Sequence, residues 1–228
     1  SVRGSRYSSS TAIDEAGNVG SYEMFIERGA RGTPAIKKFA AFNPVARKAE
    51  ENKNAMAIII GVADYQRINA PAKYADEDAK SFYDYANLKL GVHEDNIIEL
   101  VNEKADRFEM KLAVKDWLRR FAKKGKTDLY IFFAGHGIAS DDGNNMYLLP
   151  YDGSPRLLDD TAILRSEFFK SIAEAQPKSV TVFLDTCYSG ETRGTEMLIA
   201  ARPVMIKAVE KDIPREFTVI TAAAGDQT

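Results

Sequence analysis

From residue 55 onward, short and uniformly apolar runs alternate with longer stretches in which apolar residues return every three or four positions. Ala55–Val62 (AMAIIIGV) has no polar position at all, the pattern of a strand covered on both faces in a parallel sheet. Ala79, Phe82, Tyr83, Ala86 and Leu90 then fall on one face of a helix that Gly91 ends. Asn96–Val101 (NIIELV) predicts a second strand. Met110, Ala113, Val114, Trp117, Leu118 and Phe121 form the stripe of a second helix, closed by Lys123, Lys124 and Gly125. Asp128–Ala134 (DLYIFFA) predicts the third strand, Tyr147–Pro150 a short strand or turn, and Glu167–Ala175 a helix stopped by Pro177. Val180–Asp185 (VTVFLD) and Phe217–Thr221 (FTVIT) complete the set as fourth and fifth strands. This alternation predicts an α/β fold, a mostly parallel central sheet with helices on both faces joined by right-handed crossovers.

Residues 1–54 follow a different pattern. They begin Ser-rich and are punctuated by Gly29, Gly32 and Pro34, which reads as an extended arm and linker. Within it, DEAGN at Asp14–Asn18 separates Thr11-Ala12-Ile13 from the alternating Tyr22, Met24 and Ile26, the signature of a hairpin. That short stretch resembles the last two strands of bacterial immunoglobulin-like modules and is read as a remnant of one. The expected organisation is therefore an arm over 1–54 and a catalytic domain over 55–228.

Composition narrows the functional classes. The 228 residues carry 31 basic and 33 acidic side chains, a formal net charge of −2, so no bulk field draws the chain to nucleic acid. The longest apolar run, Met56–Ala63, is far shorter than the roughly 20 residues that cross a bilayer, and no membrane span is expected. The chain has no initiator Met and no basic-then-apolar leader, which reads as a fragment of a longer precursor. One cysteine rules out an internal disulfide and, with a histidine elsewhere, is one signature of a thiol nucleophile.

In parallel sheets, chemistry gathers at the carboxyl ends of the strands. Two such ends stand out: FFAGHG at Phe132–Gly137 and LDTCYSG at Leu184–Gly190. Each puts a reactive side chain just past a buried strand, among small residues that let backbone amides and a substrate approach. Were the two strands neighbours, the Cys187 thiolate could attack a peptide carbonyl while the His136 imidazole returned a proton to the leaving amine.

An apolar strand ending in HG and, 51 residues after the His, one carrying D-x-C-x-S-G resemble the caspase and metacaspase superfamily, for which a spacing near 50 is a known signature. IIIGVADY (Ile58–Tyr65), DEDAKSF (Asp76–Phe82) and MYLLPYD (Met146–Asp152) extend the resemblance from Ala55 to the C-terminus. It implies a three-layer caspase-like fold and a cysteine endopeptidase with Cys187 and His136 as catalytic dyad. The backbone amides of Gly137 and Cys187 would form the oxyanion hole. Relatives that cut after Asp carry an Arg where this chain has Ala72 and a Gln where it has Asp185. A carboxylate there repels an acidic P1 residue and attracts Arg or Lys, as in metacaspases, where a helix-opening Asp, here Asp78, lines the same pocket.

The resemblance also implies partners and departures: protein or peptide substrates with a basic P1 residue, and a calcium requirement common in metacaspases. Asp152 matches one calcium position, but the later ones fall near Ser166, Glu167 and Gly194, so no metal ligand set is assigned; Asp141, Asp142, Asp159 and Asp160 read as a solvated acidic loop. The chain stops after the fifth strand, before the family's small-subunit region, which implies truncation or a separate C-terminal fragment. Between Cys187 and Phe217 lie Arg193, Arg202, Lys207, Lys211 and Arg215, a candidate self-cleavage stretch in a zymogen. Two rival readings stand beside it: a catalytically silent homologue acting as a binding or signalling scaffold, and a doubly wound phosphoacceptor or nucleotide-binding domain using carboxylates such as Asp64. The second lacks any G-x-x-x-x-G-K-[ST] or G-x-G-x-x-G loop. A cytoplasmic setting and a bacterial envelope or secreted one both fit a single Cys.

Overall fold

A computed structural model of the chain describes residues 6–13, 19–26, 48–140, 142–186 and 213–221. The chain divides into two compact units, Ser1–Phe42 and Asn43–Thr228. In the first, β1 (Arg6–Ile13) and β2 (Val19–Ile26) pair antiparallel with Ile13 opposite Val19, so the DEAGN segment joins the two strands of a hairpin.

The second unit is built on a five-stranded parallel sheet. Its strands are β3 (Ala55–Gly61), β4 (Ile97–Val101), β5 (Asp128–Ala134), β9 (Ser179–Asp185) and β10 (Phe217–Thr221), in the spatial order β10-β9-β5-β3-β4. Central β3 is buried along its whole length, which is why its sequence shows no polar alternation. Successive residues still face opposite sides. Met56, Ile58 and Ile60 join Leu129, Ile131, Phe133, Val180, Val182 and Leu184 in the larger core. Ala55, Ala57 and Ile59 face the other way, against α1 (Ala75–Leu88).

The larger core is covered by α2 (Arg107–Leu112), a π-helical turn (Ala113–Trp117), α3 (Leu118–Phe121) and α5 (Arg165–Ala173). The side chain of Asp106 accepts from the Glu109 amide at 2.8 Å and caps α2. The result is three layers, helix on sheet on helix. Beside the main sheet lies a small antiparallel one, β6 (Gly137–Ala139), β7 (Met146–Leu148) and β8 (Ile163–Leu164), with α4 (Leu158–Thr161) leading into β8. The hydrophobic pattern had shown only part of β7.

One close approach sets the position of α1. A Cβ on Gly61 would sit 2.5 Å from the Ala75 carbonyl oxygen and 2.6 Å from the Ala79 Cβ, so only glycine lets the first turn of α1 rest against the end of β3. The aromatic ring of Phe82, one turn farther along, stacks on Phe132 of β5 at 4.6 Å and meets Phe183 of β9 at 5.0 Å.

Candidate active site

Strands β5 and β9 are neighbours, in register with Ala134 opposite Asp185. The Gly135 amide donates to the Asp185 carbonyl at 3.3 Å, so the two signature segments leave the sheet at the same level of its carboxyl rim. Gly135 has φ +151°, and a Cβ there would meet the Tyr65 hydroxyl at 2.9 Å. The backbone must therefore pass close beneath Tyr65 as it turns toward His136.

His136 is 6% exposed and held from three directions. Its backbone N–H donates to the Tyr65 hydroxyl at 2.7 Å, and its carbonyl accepts from the Leu149 amide at 3.0 Å. Its Nε2 lies 2.8 Å from the Ala70 carbonyl oxygen. A carbonyl only accepts, so this contact puts the ring proton on Nε2 and leaves Nδ1 with its lone pair. The imidazole also stacks on the Tyr65 ring, centroids 4.9 Å apart. Burial lowers its pKa below the ordinary histidine value, with the Ala70 carbonyl opposing in part, so the ring is a neutral base near pH 7.

The loop after β3 that carries Tyr65 and Ala70 is itself braced. The Asn102 side-chain oxygen, at the end of β4, accepts from the amides of Ala63 at 2.9 Å and Asp64 at 3.2 Å. The Gln66 amide donates to the Tyr151 carbonyl at 2.9 Å. Tyr65, Ala70 and Asn102 were given no part by the sequence. IIIGVADY did contain Tyr65, but nothing in that run announces a contact with a loop 71 residues away.

Just past β9 stands Thr186, 3% exposed, whose hydroxyl finds no hydrogen-bond partner among the described residues. Cys187, the next residue, lies outside the described residues, as do Arg193, Arg202, Lys207 and Lys211; Arg215 is an exposed turn residue. Gly137 opens β6, buried and opposite Leu148.

Asp78 and Asp185, both half-buried, are related through Phe82. Phe183 and Asp185 are two apart on β9 and point to the α1 face. Asp78 and Phe82 are four apart on α1 and share a helix face. The helix follows β3 back along the sheet, so stepping from the Phe82–Phe183 contact toward the rim reaches Asp78 on one element and Asp185 on the other. The topology thus sets both carboxylates at the same edge and on the same side of the sheet.

Asp152, Asp142 and Asp159 are engaged locally, and Asp141 lies outside the described residues. The Asp152 carboxylate accepts from the Arg107 amide at 2.9 Å, at the start of α2. Asp142 accepts from the Ser140 hydroxyl at 2.5 Å and from the backbone and side chain of Asn144, and these bonds hold its carboxyl down at about 2. Asp159 accepts from the Tyr147 hydroxyl at 2.5 Å. Among the described residues no group of three or more Asp, Glu, His or Cys side chains is arranged to hold a metal ion. Nor is any described helix long and apolar enough to cross a membrane.

Comparison with known proteins adds one strong finding. The family model described as the caspase domain matches residues 54–228. No curated protein sequence matches the chain. A crystal structure of a protein from Geobacter sulfurreducens is similar at 19% identity and a TM-score of 0.46, over 60% of this chain and 52% of that one. The chain thus spans about half the length of that protein.

Proposed function

The chain belongs to the caspase-domain family of cysteine peptidases, and from that premise we propose that it is an endopeptidase cutting after Arg or Lys, with Cys187 as nucleophile and His136 as its proton-transfer partner. The observation that carries the pairing is the adjacency of β5 and β9. His136 stands two residues past Ala134, Cys187 two residues past Asp185, and Ala134 and Asp185 are opposite one another.

In this reading the lone pair on Nδ1 takes the thiol proton. The thiolate attacks the scissile carbonyl, and the imidazolium delivers that proton to the departing amine. Water then gives a proton to Nδ1 and attacks the thioester carbonyl, the C–S bond breaks to release the acid, and the imidazolium returns that proton to the Cys187 thiolate. The neutral state of buried His136 suits the first step. The Gly137 and Cys187 amides would meet the oxyanion. Asp185 and Asp78 form an acidic site for a P1 guanidinium or ammonium group, favouring a basic residue and opposing an acidic one. The family implies protein substrates, and the chain itself is one candidate, through the Arg and Lys residues between Cys187 and Phe217.

Matched fluorogenic peptides differing only at P1 test this reading. Arg and Lys substrates are turned over, the Asp substrate is not, and Cys187→Ala abolishes turnover. Robust cleavage of the Asp peptide with none of the Arg peptide would overturn the specificity. An arginyl chloromethylketone that leaves Cys187 unlabelled would favour the silent scaffold. In mass spectra, wild-type chain is clipped beyond Cys187 while Cys187→Ala stays whole; equal clipping of both removes self-processing.

A further inference from the structure

We infer that Tyr65 is a positioning residue for His136, holding the Gly135–Gly137 loop and the imidazole in the arrangement the proton transfer needs. The inference rests on the dyad proposed above. Tyr65 makes two independent contacts with one residue: its hydroxyl accepts the His136 N–H at 2.7 Å, and its ring stacks on the imidazole with 26° between planes. The first fixes the backbone, the second the tilt of the ring. Together with the Ala70 carbonyl on Nε2 they leave the imidazole little rotational freedom.

Two further observations give the hydroxyl a specific place. Gly135 presses so close beneath it that a Cβ would come within 2.9 Å, so hydroxyl and loop are fitted to each other. And Tyr65 comes from the loop that Asn102 and Tyr151 tether on either side, so its ring reports the position of the β3 end to the β5 end. Burial holds the phenol well above its ordinary pKa, so it stays protonated and acts by geometry alone, without titrating in the working range.

His136 forms the thiolate for every substrate, but only an amide also needs it to protonate the leaving group during acylation, so a residue that positions the imidazole weighs most on amide acylation. Two substrates sharing one acyl-arginine separate that step. An aminomethylcoumarin amide has an amine leaving group that must be protonated, whereas a p-nitrophenyl ester leaves as a stable anion and needs no proton. In the full chain, Tyr65→Phe keeps the ring and removes the acceptor. It is expected to lower kcat on the amide by about 10- to 100-fold, the range that a displacement of about 1 Å produces. KM stays within about twofold, and the ester loses less than about threefold. Gly135→Ala, which pushes on the hydroxyl from below, shows the same amide-selective loss.

Equal loss on both substrates makes Tyr65 merely structural and overturns the inference. So does wild-type amide turnover by Tyr65→Phe while His136→Ala is inactive, a result that leaves the dyad standing. If His136→Ala itself retains full amide turnover, the dyad falls and the role of Tyr65 with it.

Discussion

Replacing Phe82 by alanine tests whether α1 is tied to the sheet by the contact that also sets the acidic rim. Phe82 is 9% exposed and touches two strands, stacking on Phe132 at 4.6 Å and meeting Phe183 at a tilt at 5.0 Å. A buried Phe→Ala change costs about 3–5 kcal/mol through lost transfer energy and the cavity left behind. Because Phe82 keeps a solvent-facing edge and its neighbours can partly close in, the lower end, about 3 kcal/mol, is expected. That is a large part of the 5–15 kcal/mol typical of a whole domain. In urea unfolding, with a slope of about 3 kcal/mol per molar at the upper end of the usual range, the midpoint moves down by about 1 M. Phe82→Leu, which preserves most of the volume, costs under about 1.5 kcal/mol. The rim should register the same change: with α1 released, Asp78 leaves the sheet edge it shares with Asp185, and KM for an Arg peptide rises several-fold while the Cys187 labelling rate holds. A midpoint shift below about 0.3 M would show that the ring does not anchor the helix, and the placement of Asp78 through it would fail.

Gly61→Ala should cost at least about 1–3 kcal/mol through overpacking, since the new Cβ would lie 2.5 Å from a backbone oxygen that cannot move without α1; an unchanged thermal midpoint refutes the close approach. Stability should also depend on pH through His136. Its folded pKa lies below the ordinary value of about 6.5 that the unfolded chain retains, so in the interval between them the unfolded state binds the extra proton. Stability attributable to a neutral His136 is therefore full above that interval and falls as pH drops through it. Urea midpoints measured from pH 8 to 5 should fall more for the wild type than for His136→Gln, and parallel curves would contradict a depressed pKa.

Central β3 was legible because burial on both faces leaves a mark that chain order alone can carry, whereas β10, exposed at Thr218, Ile220 and Thr221, was legible through its run of β-branched residues. Ala55–Gly61, Asp128–Ala134 and Phe217–Thr221 are runs without competing signals, and α1 shows its period because only one of its faces meets the sheet. The small sheet was illegible for the opposite reason: β6, β7 and β8 have three, three and two residues, too few to establish any period. Its order comes from the pairing partners instead. The same division runs through the candidate site. His136 and Cys187 stood out by lying just past apolar strands, a property written locally, whereas Asp185 came from the family resemblance alone. Asp152 shows its charge in the sequence but not its hydrogen-bond donor, the Arg107 amide 45 residues upstream. For Tyr65 the sequence shows the ring but not the His136 amide its hydroxyl serves. What the strand-end pattern marks is therefore a set of candidate reactive groups. The order that would make them act together comes from a few loop contacts between segments distant in the chain, and those contacts are where substitutions distant from Cys187 in sequence should alter chemistry most.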